Sequence, residues 1–103
     1  MKNYPVIWDV KARESLKEIT LYIKEESPTA AKKVRTEILK LAASLTKFPE
    51  RFSTEPYLEN KGNEYRSVAI WSYKIIYRVG EREVRILEVI HTSRNTNVIE
   101  EIE

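Results

Sequence analysis

The 103-residue sequence has no cysteine, one histidine, one methionine, two glycines and four prolines. Without cysteine a disulfide framework is impossible. With His91 as the lone imidazole, a zinc site would need an unusual set of carboxylates, so neither a metal nor another cofactor is expected. No run approaches the roughly 20 apolar residues that a membrane-crossing helix needs, and Met1-Lys2-Asn3-Tyr4-Pro5 begins no signal peptide. A cytoplasmic protein without membrane contact is the expectation. Little glycine and proline, with 42% hydrophobic and 33% charged residues, fits a compact domain better than a fibre or a disordered chain. At this length residues 1–103 should form a single domain around one core.

The formal charge of +2 is unevenly placed. Glu100, Glu101 and Glu103 account for −3, so residues 1–94 hold 18 basic against 13 acidic side chains, a balance of +5. A basic body suits an anionic partner, either nucleic acid or an acidic polypeptide, and it equally suits an ordinary solvated surface.

Residues 4–8 read as a short β-strand ending at Asp9, a residue type that caps helices. Ala12, Leu16, Ile19 and Ile23 then recur at spacings of three and four, which places a helix over 10–26. Ser27-Pro28 interrupts it and starts a second helix, with serine at the cap and proline in the first turn. The second stripe is Ala31, Val34, Ile38, Leu41 and Leu45, ending at Phe48-Pro49. So short a break predicts an antiparallel helical hairpin. Residues 49–63 follow neither period and read as a loop. From Tyr65 the period becomes two, in the blocks YRSVAI, YKIIYRV and EVRILEVI, which predicts three consecutive antiparallel strands. The expected architecture is α+β: an N-terminal antiparallel helical hairpin packed on a small, mainly antiparallel sheet that the first strand joins.

Alternation assigns Tyr73, Ile75, Tyr77 and Val79, with Val84, Ile86 and Ile90, to the helices. A turn at Gly80 to Glu83 would set Val79 opposite Val84 and Arg78 opposite Arg85. Trp71-Ser72 lacks the Asn or Gly that a two-residue hairpin turn favours. A three-residue connection would pair Ile70 with Lys74 and bring Arg66 near Arg78. On that register one face of the sheet carries Arg66, Lys74, Arg78, Arg85 and His91 among Val68, Ile70, Ile76, Leu87 and Val89. Such a face fits an amphipathic acidic segment or a phosphate backbone. Cover by the chain's own loop 49–63 and its C-terminal tail is the alternative.

The stretches WDVKARESLKEITLYIKEESPTAAKKV, LAASLTKFPE, YRSVAIWSYKIIYRV and ILEVIHTSRN together resemble the RelE/ParE superfamily of bacterial type II toxins. His91-x-x-Arg94-Asn95 is similar to the ParE branch. The resemblance spans nearly the whole chain and implies the same hairpin-on-sheet fold. It also implies a cognate antitoxin that wraps the toxin, with operator DNA contacted only through that antitoxin. ParE-like members poison DNA gyrase, whereas RelE-like members cut mRNA on the ribosome, and a non-toxic relic that retains antitoxin binding is a third class. For a nuclease the implied catalytic set is Arg66, Lys74, His91 and Arg94. Val68 stands where a further lysine is expected, and no tyrosine follows Arg94. For a binding toxin, the residues expected at the antitoxin or target surface are Arg66, Lys74, Arg78, Arg85, Trp71 and Arg94. His91 could act as a general base; the plainer reading is a strand-end histidine bonded to its neighbours.

Overall fold

Val6–Trp8 forms strand β1 in the computed structural model, which describes residues 3–61, 64–93 and 97–102. Asp9 then takes the N-cap of helix α1, Val10–Lys24, but its side chain makes no cap bond. The carboxylate lies instead 2.7 Å from the Arg85 guanidinium; a charge-assisted bond wins over a neutral amide donor. Ser27 behaves as its sequence context predicts. Its hydroxyl accepts from the Ala30 amide at 3.1 Å, and Pro28 opens helix α2, Pro28–Ser44, where its missing N–H costs no helical bond. The two helices pack as an antiparallel hairpin and bury Ala12, Leu16, Ala31, Ile38, Ala42 and Leu45. Residues 49–61 are more ordered than the expected loop. They hold two 3-10 segments, Pro49–Arg51 and Pro56–Lys61, too short to print a helical period on the sequence.

The sheet has the order β1-β4-β3-β2, with β2 at Tyr65–Ile70, β3 at Tyr73–Val79 and β4 at Val84–His91. β1 runs parallel to β4, and the other two pairings are antiparallel. Val79 faces Val84 and Arg78 faces Arg85 as predicted. Two departures follow.

First, Ile70 pairs with Tyr73, and Arg66 therefore pairs with Tyr77 rather than nearing Arg78. Trp71-Ser72 does make the two-residue turn, because Trp71 itself adopts left-handed backbone at φ 52°. A hairpin this tight demands a positive φ at its first turn residue whatever the side chain. Second, Tyr77 pairs with Ile86 but Ile76 pairs with Glu88, so β4 carries one extra residue, Leu87. A β-bulge of this kind shifts the two-residue period by one. Beyond it Val89 and His91 lie on the helix side and Ile90 lies on the other, the reverse of simple alternation.

The expected mixed face therefore does not exist. Val68, Ile70, Ile75, Tyr77, Val84, Ile86 and Val89 join the core beneath the hairpin. Tyr65, Ile76, Leu87 and Ile90 form a second core with Leu58 of the 3-10 helix and with Ile99 and Ile102 around a short C-terminal helix, α3, Asn97–Glu100. The chain covers its own second face. Lys61 fastens this cover, its ammonium donating to the Glu100 and Ile102 carbonyls at 3.1 and 2.9 Å.

Ile38 is fully buried while Leu41 is only partly so. Ile38→Ala should cost about 2–5 kcal/mol through the cavity it leaves and lower Tm by about 10 °C or more. Leu41→Ala should cost clearly less; equal losses in thermal denaturation would contradict this packing.

Candidate functional site

Lys74 points away from the helical hairpin, and its ammonium pairs with the carboxylate of Glu55, which is fully buried. The second Glu55 oxygen accepts from the Tyr57 amide at 2.9 Å, and the Tyr57 ring lies 5.7 Å from the Lys74 nitrogen. A buried carboxylate without a counter-charge is costly. Lys74 is thus the counter-ion that lets the segment before Pro56–Lys61 dock on the sheet.

Arg66 sits half-buried on the opposite face. Its Nη1 donates to the Phe52 carbonyl at 2.7 Å and to the Glu50 carbonyl at 3.3 Å. Tyr77, on the facing rung, donates its hydroxyl to the Pro49 carbonyl at 2.7 Å. Together they staple the Pro49–Arg51 turn to the sheet. Burial pushes the Tyr77 phenol up to about 12, with Arg66 and Arg51 opposing that rise in part. Arg85 is held by Asp9 and, at 3.2 Å, by Glu83; the Asp9 hydrogen bond is the main reason its pKa is raised further. Arg78 faces Arg85 across the strands and lines a rim depression with Arg66, Glu50, Glu64 and Glu81.

His91 ends β4 exposed, its ring edge-on to Tyr73 with centroids 5.4 Å apart. Nδ1 accepts the Ser93 amide at 3.1 Å and lies 2.7 Å from the Ser93 hydroxyl oxygen. Since a backbone N–H can only donate, Nδ1 presents its lone pair, and the neutral ring carries its proton on Nε2. His91 is thus bonded to its neighbours, as the plainer reading had it. Lys74 lies one rung away but on the opposite face, and Arg66 is four rungs along, about 13 Å of strand. A general base must come within about 3 Å of the proton it takes. The three groups of the implied nuclease set that are described do not converge, and Arg94 lies outside the described residues.

Trp71 does stand out at the surface. It is 54% exposed at the β2–β3 tip, in a left-handed conformation that costs a residue with a side chain about 1–3 kcal/mol. Tyr73 follows two residues on, its phenol pushed up by burial and by the neighbouring Tyr22, which is 75% exposed on α1. Tyr22 gave no signal in the sequence beyond lying three residues after Ile19 of the apolar stripe. Only the docking of α1 on β4 brings it to this aromatic end.

A family described as the ParE toxin of the type II toxin-antitoxin system parDE matches residues 6–96. The chain belongs to the ParE toxin family. Its fold is similar to that of a chain in the chromosomal ParDE system from P. aeruginosa, with TM-score 0.69 and 21% identity over 85% of this chain and 95% of that one. It is also similar to a chain of the toxin-antitoxin complex RelBE2 from Mycobacterium tuberculosis, with TM-score 0.60 and 22% identity over 88% of this chain and 93% of that one. At such identities the structural likeness concerns the fold alone. No curated protein matches the sequence. Among the described residues of this ParE-family toxin, no helix is long and apolar enough to cross a membrane.

Lys74→Met should destabilise the protein by about 3 kcal/mol, because it strands the buried Glu55 charge, and adding Glu55→Leu should recover most of that loss. Urea denaturation of the two variants decides it. A second check uses Tyr77. Its folded pKa exceeds the ordinary 10.0, so its contribution is complete below pH 10 and is lost as pH rises from 10 to about 12. Tyr77→Phe should be less stable than the wild type at pH 8, and the difference should shrink over that alkaline window.

Proposed function

We propose that this ParE-family toxin acts by binding DNA gyrase rather than by cutting RNA, and that a cognate antitoxin neutralises it in the cytoplasm. The observation that carries the reading is where the predicted cations went. Lys74 balances buried Glu55, Arg66 holds backbone carbonyls, and Arg85 is tied to Asp9 and Glu83. Cations fixed in this way on two faces of a sheet cannot close together on one phosphate, which transition-state stabilisation requires. A binding toxin needs only an accessible surface. Exposed Trp71 and Tyr22 offer such surface, and tryptophan and tyrosine anchors are typical of strong protein contacts. Operator DNA is reached through the antitoxin alone.

Induction of the chain without its antitoxin should bring DNA-damage signalling and gyrase-dependent DNA cleavage, while ribosome-bound mRNA stays intact. His91→Ala should lower toxicity modestly and Trp71→Ala more strongly. Cleavage of mRNA in the ribosomal A site that falls about 10²–10⁴-fold in His91→Ala, with gyrase untouched by the wild type, would overturn the reading.

A further inference from the structure

The sheet has two edges, and the chain closes only one of them. Along β2 the segment before the second 3-10 helix lies against the strand, the Glu55 amide donating to the Tyr65 carbonyl at 2.9 Å and the Ser67 amide to the Ser53 carbonyl at 3.2 Å. β1 is the opposite edge. Its Pro5 carbonyl accepts from the Val84 amide and the Asp9 amide donates to the Ile86 carbonyl, each at 2.9 Å. Such a parallel ladder engages every second residue, so Pro5, Ile7 and Asp9 face β4 while Val6 and Trp8 turn their N–H and C=O groups outward. At Tyr4 the outward groups are taken, the amide donating to the Thr46 carbonyl at 2.8 Å and the carbonyl accepting from the Thr46 hydroxyl at 2.6 Å. Beyond Trp8 the chain turns into α1. Among the described residues, no bond outside the strand ladder reaches Val6 or Trp8.

Two donors and two acceptors therefore stand open in a row. An exposed edge of this kind templates another strand, and proteins guard such edges with charge, proline or cover. Here no guard is present. Pro5 directs its missing N–H toward β4, and Val6-Ile7-Trp8 carries no charge. Val6 and Trp8 pack against the core beneath the hairpin, which leaves Ile7 on the other face, 37% exposed. Arg85 lies beside Ile7 in the register, but Asp9 and Glu83 balance its guanidinium.

We propose that the open edge of β1 pairs with β1 of a second copy of this chain, antiparallel about a two-fold axis at Ile7. That register sets Val6 opposite Trp8 of the second copy, and Trp8 opposite its Val6, as hydrogen-bonded pairs. Four bonds then use every open group of both strands. Ile7 meets its own copy in the close, non-hydrogen-bonded pair between them, which covers both exposed side chains. Moving the axis to Val6 would set open groups against Tyr4, which Thr46 has taken, and moving it to Trp8 would set them against α1. Self-complementarity selects the occupant: the two-fold axis maps each donor onto an acceptor of the same two residues. The neutral strand also lets two basic bodies meet without like charges at the seam, whereas an acidic segment or a nucleic acid would find no cation there to pair with. An edge of three residues buries less than the roughly 1,200 Å² of a stable interface, so the dimer is weak and concentration-dependent. The two sheets become one of eight strands.

Sedimentation velocity on the full chain, from low to high micromolar concentration, tests the pairing. The wild type should pass from monomer to dimer. Ile7→Lys and Ile7→Glu should each stay monomeric, because like charges would face each other at the axis, and an equimolar mixture of the two should dimerise again. Val6→Pro removes one outward donor but no bond to β4, and should weaken the dimer at least tenfold. Circular dichroism confirms that each variant is folded, and the two Ile7 variants decide alone if Val6→Pro is not. A wild type that stays monomeric throughout would overturn the proposal, as would a dimer that both Ile7 variants preserve or a mixture that fails to associate. Association that Trp71→Ala or Tyr22→Ala abolishes and Ile7→Lys retains would assign the contact to the exposed aromatics and overturn it too. A monomeric wild type whose affinity for its antitoxin falls in Ile7→Lys would give the edge to an antitoxin strand, again against the proposal.

Discussion

Strand β4 must be covered twice. From Val84 to Ile90 it alternates between two cores, and Val84, Ile86, Leu87, Val89 and Ile90 are all buried. A strand apolar on both faces cannot end a two-layer structure, because one face would leave its side chains in water at a cost of roughly 25 cal/mol per Å². The helical hairpin takes one face. On the other the chain uses a 3-10 helix carrying Leu58 and a C-terminal segment carrying Ile99 and Ile102. The bulge at Leu87 belongs to the same constraint, since it turns Val89 under the helices and Ile90 toward the second core.

The polar chemistry of the sheet follows from that double cover. A 3-10 segment laid across strands brings backbone carbonyls and a carboxylate into the interior, and each needs a partner there. Lys74 answers Glu55, Tyr77 answers the Pro49 carbonyl, Arg66 answers Phe52, and Lys61 answers the end of the C-terminal segment. Of the cations that look like an anion-binding face in the sequence, Lys74 and Arg66 fasten covering segments, and Arg85 is tied to Asp9 and Glu83. What stays exposed lies at the periphery, with Trp71 at the β2–β3 tip and Tyr22 on α1.

The sequence by itself determined the helical hairpin, the four strands and their order along the chain. Helical spacing of Ala12, Leu16 and Ile19, the Ser27-Pro28 break and the two-residue period after Tyr65 are local signals, written by the geometry of each element and legible without its neighbours. They, with the motifs, also sufficed to identify the toxin family. The Val79 to Val84 turn was legible for the same reason. What tertiary structure alone decided is which face each side chain takes after an irregularity, and what it meets there. One extra residue in β4 moved His91 to the side away from Lys74, and a left-handed Trp71 moved Arg66 beneath the helices. A period of two has no memory of its phase across a bulge or a turn, so these faces are fixed only when the apolar side chains find cover. Lys74 could not be read as the partner of Glu55, nineteen residues earlier, because ion pairs across a packed layer leave no spacing in the chain.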